Sequence, residues 1–206
     1  MHSIKYITEG KKPEDASAVL IMVHGRGGSA EDILTIARYL NTKDFCLLAP
    51  EAVDNTWYPY SFLAPVDRNE PWLGSALAVL KGIVEELKAK GVDEEKIYFL
   101  GFSQGACLTL EFVARNATKY GGVAALTGGL IGETLNTANY TGDFNGTPVF
   151  IGTSDPDPHV PVTRVDESAE LLTKMNANVT KKIYKGMGHT ISQDEINELN
   201  QLIFKK

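Results

Sequence analysis

Short continuous runs of apolar residues alternate along this chain with stretches in which apolar side chains recur every three or four positions. Ala18-Val19-Leu20-Ile21-Met22-Val23 is unbroken and rich in β-branched residues, the pattern of a strand buried on both faces of a parallel sheet. Ser29 and Asp32 then stand at capping-box spacing ahead of Ile33, Ile36, Ala37 and Leu40, which keep helical period. Phe45 to Ala49 reads as a second buried strand, and the stretch from Pro50 to Glu70 as irregular. From Pro71 a long helix is expected, with Leu73, Leu77, Leu80, Val84 and Leu87 on one face and Gly91 as its stop. Ile97 to Leu100 is the next strand, followed by helical period from Gln104 to Asn116. Val123 to Leu126, Val149 to Ile151 and Val179 to Tyr184 complete the strands, with a helix from Val165 to Asn176. A final helix begins at Ser192, where Glu195 again completes a capping box ahead of Ile196, Leu199, Leu202 and Ile203.

Strands alternating with helices imply crossover connections, so the expected fold class is α/β, with a mainly parallel central sheet flanked by helices on both faces. Residues 1–206 carry no internal repeat and no linker, and one domain is expected. The composition, 43% hydrophobic and 22% charged, is that of a globular chain. A formal charge of −6 without a Lys/Arg block argues against a nucleic-acid partner. Met1 to Lys12 alternates polar and apolar residues and lacks the apolar centre of a signal peptide, and Ala18–Val23 is too short to span a bilayer. Cys46 and Cys107 lie inside apolar periodic segments and read as buried reduced thiols. A cytoplasmic location without stable membrane insertion is therefore expected.

In an open parallel sheet, reactive groups collect in the loops beyond the carboxyl ends of the strands. Gly101-Phe102-Ser103-Gln104-Gly105 falls between a strand and a helix, the context that gives a G-x-S-x-G match its meaning. The turn is tight, so the positions two before and two after the serine must lack side chains. Ser103 is the candidate nucleophile, and a serine needs a base. Of the four histidines, His2 lies at a terminus expected to fray, and His24 stands in a glycine-rich loop where a bracing role is expected. His159 follows Pro158, and His189 lies between the last strand and the last helix. The order Ser…Asp…His selects His189. The carboxylate should follow the preceding strand, where Asp155 and Asp157 compete, and spacing does not choose between them. Two backbone N–H groups should stabilise the oxyanion, one from Gln104 and one from the loop His24-Gly25-Arg26-Gly27-Gly28, through Arg26. That loop neither completes G-x-G-x-x-G nor precedes a Walker lysine, so a nucleotide site is not expected.

These segments, taken together with Asp155-Pro156-Asp157-Pro158-His159-Val160-Pro161 and Gly188-His189, resemble the phospholipase/carboxylesterase family of small α/β-hydrolases, which includes acyl-protein thioesterases. The resemblance implies an α/β-hydrolase fold, and no insertion in the chain is long enough for a large lid domain. It also implies that the catalytic aspartate is Asp157, the one in Asp-Pro-x-Val-Pro context, and that Arg26 and Gln104 supply the oxyanion donors. The thioesterases share a Trp-Phe-Asp segment after the second central strand. Here that place reads Trp57-Tyr58-Pro59-Tyr60-Ser61-Phe62, a departure that speaks against protein depalmitoylation and a long acyl chain.

Trp57 and Tyr58 are the expected walls of an acyl or aryl pocket, with Leu130 to Gly146 as a second wall. The Arg26 side chain is expected in a surface ion pair, with an anionic substrate as the alternative. The leading reading is a serine carboxylesterase for small or medium esters, working through an acyl-enzyme. A thioesterase or lysophospholipase shares the chemistry, and a non-catalytic binding protein is the reading from another class. The expected partner is a small-molecule ester; no cofactor or metal is expected, and a homodimer is compatible with the sequence.

Overall fold

The apolar runs form the interior of one seven-stranded sheet, in a computed structural model that describes residues 1–205. The strands are β1 (Tyr6–Gly10), β2 (Ala18–Val23), β3 (Phe45–Pro50), β4 (Ile97–Phe102), β5 (Gly122–Leu126), β6 (Pro148–Asp155) and β7 (Asn178–Lys185). Their order is β1-β3-β2-β4-β5-β6-β7, parallel throughout except where β1 pairs antiparallel with β3. Every residue of β2 and β5 is buried, as continuous apolar runs require when both sheet faces are covered.

The helices are α1 (Ala30–Leu34), α2 (Val66–Asn69), α3 (Trp72–Ala89), α4 (Gln104–Arg115), α5 (Val162–Lys174) and α6 (Gln193–Leu202). Both capping boxes form, Ser29 with Asp32 at α1 and Ser192 with Glu195 at α6. Two core clusters occupy the two faces of the sheet. Val19, Ile21 and Val23 point into the one built with α3, α4 and α5, while Leu20 and Met22 point into the one built with α1 and α6.

Several segments depart from expectation, among them the one-turn helix α2 inside the stretch read as irregular. The helix after Ser29 stays α-helical only to Leu34 and tightens into a 3₁₀ segment, Thr35–Tyr39, so the helical period outlasts the α-helix itself. The alternation in Met1 to Lys12 holds an edge strand, β1. His2, expected at a frayed end, is tied down: its backbone N–H donates to Ser75 Oγ at 2.8 Å, and its ring takes the Val53 N–H and reaches the Trp57 carbonyl. Burial lowers the pKa of His2, consistent with a neutral ring in that role. No helix among the described residues is long and apolar enough to cross a membrane.

Candidate active site

β4 and α4 meet at Ser103 with no loop between them. The serine adopts φ 54° and ψ −119°, in the left-handed half of backbone space; a non-glycine residue there stores about 1–3 kcal/mol of strain. Its N–H is fixed on Leu126 O of the neighbouring strand at 2.9 Å. The flanking glycines answer to close backbone approach. A Cβ at Gly101 would stand 2.3 Å from Gly105 O, and one at Gly105 would stand 2.1 Å from Val23 O.

His189 lies in the connection from β7 to α6, where Gly186 and Gly188 take positive φ of 66° and 79°. Ser154 Oγ accepts the Gly188 N–H at 2.8 Å, holding this turn against β6. His189 Nε2 is 2.8 Å from Ser103 Oγ, and its Nδ1 is 2.9 Å from Asp157 Oδ2. The other oxygen, Oδ1, accepts the N–H groups of His159 and Val160 at 2.8 and 2.9 Å. The Asp157 side chain is wholly buried. Burial opposes its ionisation, yet the His159 N–H, the His189 ring and the Val160 N–H together outweigh burial and hold the carboxyl below its usual range. Asp155, the competing carboxylate, is exposed at the end of β6.

The glycine-rich loop after β2 packs against this turn, with Gly25 so close that a Cβ there would stand 3.4 Å from Ser103 Cβ. Within it the Gly27 and Gly28 N–H groups are taken up by Asn55 O and Gly25 O. Among the described residues, the N–H groups of Arg26 and Gln104 have no partner. His24 braces the loop as expected: it is buried, its Nδ1 meets Gly25 O at 2.8 Å, and its Nε2 accepts the Ala52 N–H at 3.3 Å. Burial lowers its pKa and keeps the ring neutral.

The side chains of Arg26 and Gln104 do something the sequence did not suggest. Arg26 is in no ion pair among the described residues; its guanidinium donates to three successive carbonyls, Tyr58 O, Pro59 O and Tyr60 O, at 2.9, 3.0 and 2.8 Å. Gln104 Oε1 accepts the Trp57 N–H at 2.9 Å, and its Nε2 donates to Tyr58 O at 2.8 Å. Both residues offering free N–H groups beside Ser103 thus anchor the segment 57–60. The signal was present in the residue types, since each pairs a long polar side chain with a position beside an irregular segment.

That segment walls a cavity of about 810 Å³ that contains Ser103 and His189, together with Tyr58, Phe62, Cys107 and Val160. Trp57 does not reach it. Its ring is fully buried, lies 5.0 Å from the His24 ring, and donates its Nε1–H to His24 O at 2.9 Å. The expected pocket residue Trp57 is therefore a support beneath the wall, while Tyr58 lines the cavity with an otherwise buried ring. Leu130 to Gly146 is not a second wall either. Ile131 N–H and the Tyr140 hydroxyl both donate to the buried Glu111 carboxylate, which draws this stretch onto the α4 side of the core. The opposite wall is Pro158 to Pro161.

A serine on a strained strand-to-helix turn, joined through histidine to a buried carboxylate at the carboxyl edge of a mostly parallel sheet, defines an α/β-hydrolase of the serine hydrolase class. The chain belongs to the phospholipase/carboxylesterase family, whose profile matches residues 2–205. It is similar to a solved phospholipase/carboxylesterase of Dyadobacter fermentans, with 53% identity, a TM-score of 0.98, and 99% of this chain and 98% of that one covered. It is 29% identical to acyl-protein thioesterase 1 of Kluyveromyces lactis over 94% of each chain. A probable carboxylesterase of Arabidopsis thaliana, SOBER1-like, is 28% identical over 89% of this chain and 77% of that protein.

Proposed function

We propose that this chain is a serine carboxylesterase that hydrolyses small or medium carboxylic esters through an acyl-enzyme. The observation that carries the reading is the unbroken relay from Ser103 Oγ to His189 at 2.8 Å and on to Asp157 at 2.9 Å, beside two unpaired backbone N–H groups. Ser103 Oγ attacks the ester carbonyl carbon as its proton passes to His189 Nε2. The carbonyl π pair moves onto oxygen, where the N–H groups of Arg26 and Gln104 receive the negative charge. Collapse expels the alcohol, which leaves with the proton from Nε2. Water then adds to the acyl-enzyme by the same steps, releasing the acid. Asp157 holds His189 in the tautomer with its proton on Nδ1 and stabilises the imidazolium.

The exchange of protons needs no metal or cofactor. The matched thioesterase relatives favour a thioester substrate as a second reading, since the same relay cleaves either bond. We place the enzyme in the cytoplasm as a one-domain hydrolase acting on soluble esters. Hydrolysis of p-nitrophenyl esters of rising acyl length tests the proposal, with Ser103→Ala as control. The expected result is turnover that declines for long chains and vanishes in Ser103→Ala; equal inactivity of both proteins on esters and thioesters would overturn it.

A further inference from the structure

An ester has two arms, and the cavity walled by Tyr58 and Phe62 accounts for one. On the other side of the glycine-rich loop lies a second cleft of about 420 Å³. Ile33, Ile36, Phe102 and Ile191 give it an apolar wall. These four belong to the core on the α1 and α6 face, whereas Tyr58, Phe62, Cys107 and Val160 belong to the opposite face. The two spaces are therefore separated by the sheet edge, and His189 and Arg26 line both. Polar groups line the cleft as well: Asp32, whose Oδ2 accepts the Ser29 N–H in the α1 capping box, and Thr190.

We infer that this cleft is the alcohol subsite, selecting esters whose leaving group carries an apolar chain or ring. The inference rests on the esterase reading above. In the tetrahedral adduct the alkoxy oxygen lies beside His189 Nε2, because that atom returns the proton to it. The chain that follows the base, Thr190 and Ile191, is itself a wall of the cleft, so the group borne by the alkoxy oxygen faces it. The acyl arm takes the remaining direction, towards Cys107 and Tyr58. Ile33 and Ile36 lie three apart across the step from α-helix to 3₁₀ helix, which keeps them on one face. Phe102 contributes its ring from the second position of the serine motif, 5.4 Å from the His189 ring. The four apolar side chains reward methylene groups that reach them.

The test holds one arm constant and varies the other, with acid release followed by pH-stat. Along methyl, ethyl, propyl and butyl acetate, kcat/KM in the wild type should rise about threefold to fourfold for each methylene that enters the cleft. Ile36→Asp should flatten that series. Ile36→Trp, which fills the cleft, should flatten it too and guards against a fold defect peculiar to the charged variant. The slope along methyl acetate, propionate and butyrate should be the same in all three proteins. An alcohol series whose slope neither substitution changes would overturn the inference, as would a loss of slope confined to the acyl series. A fluorophosphonate label in the same preparations separates the two levels of failure. Absence of label on the wild type overturns the esterase reading, and label with an unresponsive alcohol series overturns the subsite alone.

Discussion

Gln104 offers the sharpest view of how the reactive turn and the pocket wall depend on one another. Its side chain is buried and holds both Trp57 N–H and Tyr58 O. Gln104→Leu keeps the volume and the backbone N–H beside Ser103 but removes both hydrogen bonds. Tyr58 O retains its bond from Arg26, so the loss there is that of one ordinary hydrogen bond, whereas Trp57 N–H is stranded in the interior. Together the stranded donor and the lost bond cost about 2–4 kcal/mol. For a chain of this length that lowers Tm by about 5–15 °C. Urea unfolding with calorimetry reads the stability, and kcat/KM on a p-nitrophenyl ester reads the turn.

Gln104→Glu supplies the converse. Its carboxylate still accepts from Trp57 N–H, but its second oxygen faces Tyr58 O, so the buried group is held protonated and its folded pKa lies above the unfolded value. The native state then binds more protons than the unfolded one, and the variant loses stability as pH rises through that raised pKa and regains it as pH falls. A Gln104→Leu protein within about 0.5 kcal/mol of the wild type, with kcat/KM within twofold, would refute the coupling, since surface substitutions alone fall in that range.

Further outcomes follow from other contacts. Asp157→Asn should lower kcat by about 10³- to 10⁴-fold through loss of the His189 tautomer, while Asp155→Asn should change it little; single-turnover kinetics on both compares them directly. Because the Asp157 carboxyl is held below its usual range, the stability it confers is present above the unfolded carboxylate pKa and lost as pH falls through the lower folded one. Urea titrations should accordingly show the gap between wild type and Asp157→Asn closing below about pH 4. Burial pushes the thiols of Cys46 and Cys107 up to about 11 and about 12. Ellman's reagent should therefore modify neither in the native protein and both in guanidinium, and iodoacetamide should leave activity intact. Gly105→Ala should destabilise the protein by about 3 kcal/mol or more, read by urea unfolding, because the new methyl meets the Val23 and His24 carbonyls and neither can move freely.

The parts of this fold that were legible are those where one local rule has one outcome. An unbroken apolar run such as Ala18–Val23 can only be buried, and Ser29 with Asp32 or Ser192 with Glu195 satisfies a helix end by itself. The serine motif was legible because the strand before it and the helix after it explain both glycines. The choice of Asp157 over Asp155 was not settled by spacing. It rested on the Asp-Pro-x-Val-Pro resemblance, and the structure now gives its physical sense: only with the turn closed on Asp157 do the His159 and Val160 N–H groups meet its Oδ1.

The misreadings share a cause. Trp57, Tyr58 and Phe62 are adjacent aromatics in one irregular segment, and nothing local distinguishes a ring that faces the cavity from one that supports it. That is decided by distant groups, the His24 carbonyl for Trp57 and the Gln104 amide for the backbone between them. Arg26 shows the same dependence, its guanidinium being taken by carbonyls more than thirty positions away. His2 likewise finds its partners in Val53, Trp57 and Ser75.

Everything proposed for this site depends on Ser103 carrying the acyl group. Mixing the enzyme with p-nitrophenyl acetate, quenching in acid within the first turnover and mapping the peptides by mass spectrometry measures this directly. The expected result is one acetyl group on Ser103 in the wild type and none in Ser103→Ala. An acetyl group on another residue, or ester hydrolysis at the wild-type rate by Ser103→Ala, would contradict it.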